Sequence, residues 1–122
     1  MENMTGVRPP LRRVIVSTED LDRATVFYAD VLGLAVASRD RDFAVLGLGP
    51  GQELLLHRRP TVPSDTAVAV GLLVEGLSAR VERWREMGGS IIDEPRPQAW
   101  GEVMAVLRDP DGHVVCVSDA AV

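Results

Sequence analysis

The chain has 122 residues, of which 46% are hydrophobic and 25% charged, with a formal net charge of −5. That length and composition imply one globular domain with a proper core. The acidic balance argues against nucleic acid as a partner, because phosphate binding needs a basic face.

Residues 1–10 carry no periodicity and end in a proline pair, so a flexible N-terminus is expected ahead of a domain over 11–122. Leu11–Thr18 is rich in β-branched residues and reads as a strand. The period then changes. Leu21, Ala24, Phe27, Tyr28, Val31 and Leu32 recur at helical spacing, with Asp20 placed as N-cap and Gly33 as the stop. Three strands are expected next, Leu34–Arg39, Phe43–Leu48 and Gln52–Arg58, separated by the polar Asp40–Asp42 and the glycine-rich Gly47–Gly51. Arg59–Asp65, with two prolines, reads as a linker. The pattern then restarts: a strand over Thr66–Glu75, a helical stripe of Leu77, Val81, Trp84 and Met87 closed by Gly88 and Gly89, and strands at Ser90–Glu94, Gly101–Leu107 and His113–Ser118. Asp109-Pro110-Asp111-Gly112 is a strong turn sequence between the last two strands.

The two halves superpose with a shift of 56 residues: Glu19 meets Glu75, Leu21 meets Leu77, Tyr28 meets Trp84 and Gly33 meets Gly89. A βαβββ unit used twice, in modules of about 11–58 and 66–119, accounts for this most simply. The expected fold is α+β: two βαβββ modules forming curved mixed sheets around a cavity, with the helices on the outer face.

All thirteen basic residues are arginine. Lysine Schiff-base and general-base chemistry are therefore excluded, and guanidinium does not titrate near neutrality. Cys116 is the only cysteine, so an internal disulfide is excluded and a reducing cytoplasm is expected. No apolar run reaches membrane-spanning length and Met1–Pro10 has no signal-peptide core, so no membrane partner is expected.

Two segments resemble a known family. Ser17–Leu34 is similar to the first-helix signature "DL..A..FY...LG" of the vicinal oxygen chelate superfamily, which holds glyoxalases, bleomycin-resistance proteins and extradiol dioxygenases. Trp100-Gly101-Glu102 followed by Asp109-Pro110-Asp111-Gly112-His113 is similar to its closing "WG…DPDG" hairpin. With the doubled βαβββ order, the resemblance covers nearly the whole chain from Leu11. Phe27 and Tyr28 read as core residues and Asp109–Gly112 as a turn without chemistry.

The resemblance also implies where metal-using members carry one His, Glu or Gln on each of four inner strands. Those positions fall on Arg13, on Leu55 or His57, on Ala69 and on Cys116. Guanidinium has no free lone pair and alanine no donor atom. A Cys116 thiolate and a His57 imidazole are too few for a zinc site, and hard cations need more oxygens. No metal and no other cofactor is expected. His113, after a turn glycine, is expected to be exposed, and Cys116 to behave as a small apolar residue.

Without a metal, the resemblance points to the bleomycin-resistance branch: a protein that sequesters an antibiotic or natural product, in a cleft usually formed between two subunits. A small, amphipathic or aromatic ligand and a homodimer are expected. The candidate ligand-binding residues are Arg13, His57, Trp100, Glu102 and Cys116, lining one cavity, with Glu102 as a counter-charge for Arg13 and Trp100 as a stacking wall. The alternative is a metal-free enzyme, a cyclase, isomerase or lyase of a natural-product pathway, with His57, Glu102 and Cys116 as acid/base candidates. A third reading is a protein that carries the fold in an interaction role.

Overall fold

A computed structural model describes residues 8–121 of the chain. The expectation for residues 1–10 falls mainly on residues 1–7, which lie outside the described ones. The first module contains β1 (Arg13–Thr18), α1 (Leu21–Thr25) running on as a π-helical stretch (Val26–Val31), β2 (Val36–Arg39), β3 (Phe43–Gly47) and β4 (Glu53–Arg58). The second repeats the order with β5 (Val70–Val74), α2 (Leu77–Glu86), β6 (Ile91–Pro97), β7 (Val103–Arg108) and β8 (Val114–Asp119).

Each module folds its four strands into one mixed sheet, in the orders β1-β4-β3-β2 and β5-β8-β7-β6. In both, the first strand pairs parallel to the last and the other pairs are antiparallel. The doubled βαβββ unit and the α+β class expected from the sequence are present. β1 and β5 are edge strands of separate sheets, and no hydrogen bond joins them among the described residues.

Several strand ends differ from the sequence reading by one or two residues, and three larger differences have a structural cause. The first helix starts as expected, with the Asp20 carboxylate accepting from the Arg23 N–H, but turns π-helical at Val26. The wider turn sets Phe27, Tyr28, Val31 and Leu32 on one buried face, and the Leu32 N–H reaches back to the Phe27 carbonyl. β5 starts at Val70, not Thr66, because its ladder needs β8, which begins only at Val114. Ahead of it the Asp65 carboxylate accepts from the Ala67 N–H and curls the chain into a turn. β6 runs past Glu94 to Pro97; it is an edge strand with irregular register, where prolines leave no ladder bond unmade.

Alternation along the strands separates two faces. Val16, Ala44, Leu46, Leu54 and Leu56 of one sheet, and Ala105, Leu107, Val115 and Val117 of the other, point under the helices into a single shared core. The modules meet there through aromatic rings. Phe27 lies edge-on to Tyr28 at 4.8 Å and to Trp84 at 4.6 Å. Trp84 Nε1 donates to the Arg108 carbonyl at 3.0 Å, which fixes its ring. Because both helices occupy this side, the other faces of the two sheets form one continuous, helix-free surface.

Candidate functional site

That surface carries the odd-numbered residues of β1 and β4 in register rows: Arg13 beside Glu53, Ile15 beside Leu55 and Ser17 beside His57. The row at Ser17 extends to Phe43 of β3. On the second sheet Cys116 of β8 lies between Gly71 of β5 and Val106 of β7.

A cavity of about 1020 Å³ opens along the seam between the free edges of β1 and β5. Ile15, Ser17, Gly71 and Leu73 line its helix-free side; Tyr28, Leu32 and Leu34 form its floor. Thr61, Ser64 and His113 line it too, with the Gly47–Gly49 turn and Gln52. Every lining side chain is uncharged or a histidine, and most are aliphatic. Ile15 is 53% exposed and Leu73 70% exposed, so the apolar wall continues outward onto the surface.

The five residues expected to line one cavity fall instead into two groups, one on each sheet, and none of them is in the wall of this one. Arg13 pairs with Glu53, Nη2 to Oε1 at 2.5 Å, and not with Glu102. The reason is register: Glu53 stands directly opposite Arg13 on the neighbouring parallel strand. His57 is half-buried and stacks on Phe43 at 4.4 Å, a partner the sequence reading did not find. The other group belongs to the second sheet. Trp100, at the tip of the β6–β7 turn, is 66% exposed, and its Nε1 donates to Glu102 at 2.6 Å. It lies at the strand pair farthest from the seam. Burial first, and then the Glu102 carboxylate, push the Cys116 thiol above its ordinary pKa. That thiol stays protonated at neutral pH and is a poor nucleophile or ligand.

Sequence reasoning missed Gly71, Thr61, Ser64 and His113 as lining residues. A signal existed for one of them: the 56-residue shift carries Ile15 onto Gly71, so one edge offers a side chain where the other offers space. A Cβ at Gly71 would meet nothing within 4 Å.

His113 is half-buried, not exposed as expected. Its Nδ1 accepts from the Ser64 N–H at 3.1 Å and its Nε2 lies 2.9 Å from the Ser17 carbonyl. These bonds are satisfied together by the neutral Nε2–H tautomer. With Asp109 and Asp111, His113 forms a cluster whose ligand atoms lie within 4.8 Å of one another. Its lone pairs are committed, however. Asp109 Oδ1 accepts from the backbone N–H groups of Asp111 and His113, and Oδ2 from the Tyr28 hydroxyl. Asp111 Oδ1 accepts from the Glu19 N–H, leaving only its Oδ2 without a partner. The cluster is a structural knot tying the β7–β8 turn to the first module.

The four positions implied for a metal do not fit one. Arg13 brings a paired guanidinium, Ala69 no donor, β4 either Leu55 or His57 with its ring against Phe43, and Cys116 a protonated thiol.

Two βαβββ units with their helices on one side, and a cavity where two free strand edges meet, define the glyoxalase type of fold in the vicinal oxygen chelate superfamily. Residues 13–118 match the family model of the glyoxalase-like domain, and the chain belongs to that family. It is 29% identical over 119 residues to a probable lactoylglutathione lyase of Synechocystis, across 86% of this chain and 91% of that protein. It is 31% identical over 115 residues to the lactoylglutathione lyase GLX1 of Arabidopsis thaliana; the match takes in 82% of this chain but spans only 40% of that longer protein. A crystal structure of a glyoxalase-related enzyme from Fulvimarina pelagi superposes with a TM-score of 0.75 at 19% identity, covering 93% of this chain and 89% of that one.

Proposed function

We propose that this chain is a metal-independent small-molecule binding protein of the glyoxalase/bleomycin-resistance type, which sequesters an antibiotic or natural product at the β1–β5 seam. The observation that carries this reading is the cavity: about 1020 Å³, aliphatic over most of its wall, with a few convergent polar groups. Such walls suit an amphipathic or aromatic compound. Arg13 and His57 on the first sheet, and Trp100, Glu102 and Cys116 on the second, extend the proposed binding face beyond the cavity.

A homodimer is part of the proposal. Ile15, Leu73 and Val68 expose a contiguous apolar rim that a second copy would cover, closing the cleft. No helix among the described residues is long and apolar enough to cross a membrane. A cytoplasmic location stays part of the proposal, on the ground of the single cysteine.

A thermal-shift screen against antibiotics and aromatic polyketides tests the binding reading, with Gly71→Phe as the filled-cavity control. Stabilisation of the parent but not of the variant is expected. Stabilisation of both by the same compound would move the site elsewhere. The alternative is a metal-free cyclase, isomerase or lyase, with His57, Glu102 and Cys116 as its acid/base candidates. Long incubation with a bound compound separates the two: sequestration returns it unchanged, whereas an enzyme does not.

A further inference from the structure

The cavity's uncharged wall ends at a cation. Ser17 lines the cavity, and its Oγ accepts from Arg59 Nε at 2.6 Å. The Arg59 backbone N–H also donates to the Thr18 carbonyl at 3.0 Å, which holds the residue alongside β1. Its guanidinium enters none of the ion pairs found among the described residues, unlike Arg13, Arg39, Arg85 and Arg96. Among the described residues its two Nη groups are therefore not committed to a carboxylate, while the Ser17 bond keeps the fork at the rim.

We infer that Arg59 recognises a headgroup, and that the seam cavity takes an amphipathic ligand with an apolar body and a single anionic group. This rests on the reading of the cavity as the ligand site, and it names the class of ligand. An apolar body fits against Ile15, Leu34 and Leu73. The anion meets Arg59 at the end marked by Ser17 and His113. A guanidinium presents parallel N–H donors to a carboxylate, sulfonate or phosphate, and charge-assisted bonds of this kind are roughly twice as strong as neutral ones. His113 does not take over the role, because both its ring nitrogens are engaged by backbone groups.

The test uses two dyes with the same rings, 8-anilinonaphthalene-1-sulfonate and its uncharged counterpart N-phenyl-1-naphthylamine, titrated by fluorescence into the full chain. Both should saturate one site per chain, the sulfonate about tenfold more tightly at low salt, with the preference shrinking as salt is added. Arg59→Gln should bring the sulfonate down to the affinity of the neutral dye and leave the neutral dye unchanged. Ser17→Ala, which unpins the guanidinium, should erode the preference for the sulfonate over the neutral dye. Gly71→Phe should abolish both. Equal affinities in the parent, or a preference that survives Arg59→Gln, would overturn the headgroup role while leaving the cavity intact as the site. Failure of either dye to saturate, or full binding by Gly71→Phe, would overturn the cavity reading and this inference with it.

Discussion

Tyr28 and Asp109, 81 residues apart in sequence, share a buried hydrogen bond in which the phenol donates to Asp109 Oδ2 at 2.7 Å. It joins the π-helical stretch of the first module to the β7–β8 turn of the second. Tyr28→Phe keeps the ring in the aromatic contact with Phe27 but leaves a buried carboxylate oxygen without its donor. A loss of about 1–3 kcal/mol in denaturant unfolding is expected.

The same pair shapes the pH dependence of stability. Burial first, and then the Asp109 charge, raise the Tyr28 pKa well above its ordinary value. The folded state therefore holds this proton more tightly than the unfolded chain. The associated stability is complete below the unfolded phenol pKa, about 10, and is lost as pH rises through the folded value. Burial also raises Asp109, outweighing the lowering by its hydrogen bonds from Tyr28 and the backbone. Its contribution has the same sign: full below the ordinary carboxyl range and declining as pH rises through the raised folded value. Tyr28→Phe should remove the alkaline decline, and Asp109→Asn the acidic one, in melting temperatures followed across pH. A parent whose melting temperature is flat above pH 10 would contradict the assignment.

Gly89 follows α2 and has no room for a side chain. A Cβ there would stand 2.0 Å from Trp84 Cε2, against a ring held by Phe27 and by the Arg108 carbonyl. Gly89→Ala should cost about 3 kcal/mol or more, because a rigid indole cannot yield. Gly71→Ala, in open space, should cost much less, and paired urea titrations compare the two directly.

Cys116 should react slowly. Its thiol is raised by burial and by Glu102, so the thiolate fraction at pH 7.5 is below that of a free cysteine. Iodoacetamide alkylation followed by mass spectrometry should run about tenfold slower than for a cysteine-containing peptide. Glu102→Gln should speed it at unchanged melting temperature, since one of the two causes is gone. Parity with the peptide would show that the thiol is neither buried nor opposed by charge.

The donor set predicts a protein purified without stoichiometric divalent metal. Elemental analysis should find well under one zinc, nickel or iron per chain. About one per chain, lost on His57→Ala or Cys116→Ser, would overturn the reading of those strands.

Sedimentation should show a dimer that Leu73→Asp converts to monomer, because a charge on the apolar rim must be desolvated to be covered. A monomeric parent would leave the cavity open at its seam and remove the dimer from the proposal.

The sequence by itself determined the doubled unit, since apolar period and turn chemistry are local. The switch from alternation to helical spacing after Thr18, its recurrence 56 residues on, and the Asp109–Gly112 turn need no partner to be read. Alternation likewise placed Ile15 and Ser17 on the face of Arg13. Only the tertiary structure decided which groups on that face meet. Arg13 found Glu53 through strand register, a pairing between segments 40 residues apart. Trp100 went to the far edge because β6 and β7 are the last strands of their sheet. His113, read as a solvated turn residue, was drawn inward by the Ser64 N–H and the Ser17 carbonyl. The cavity itself belongs to no segment. It exists because β1 and β5 pair inward with β4 and β8 and leave their outer edges facing each other, and that is a property of how two modules pack, not of either module's sequence.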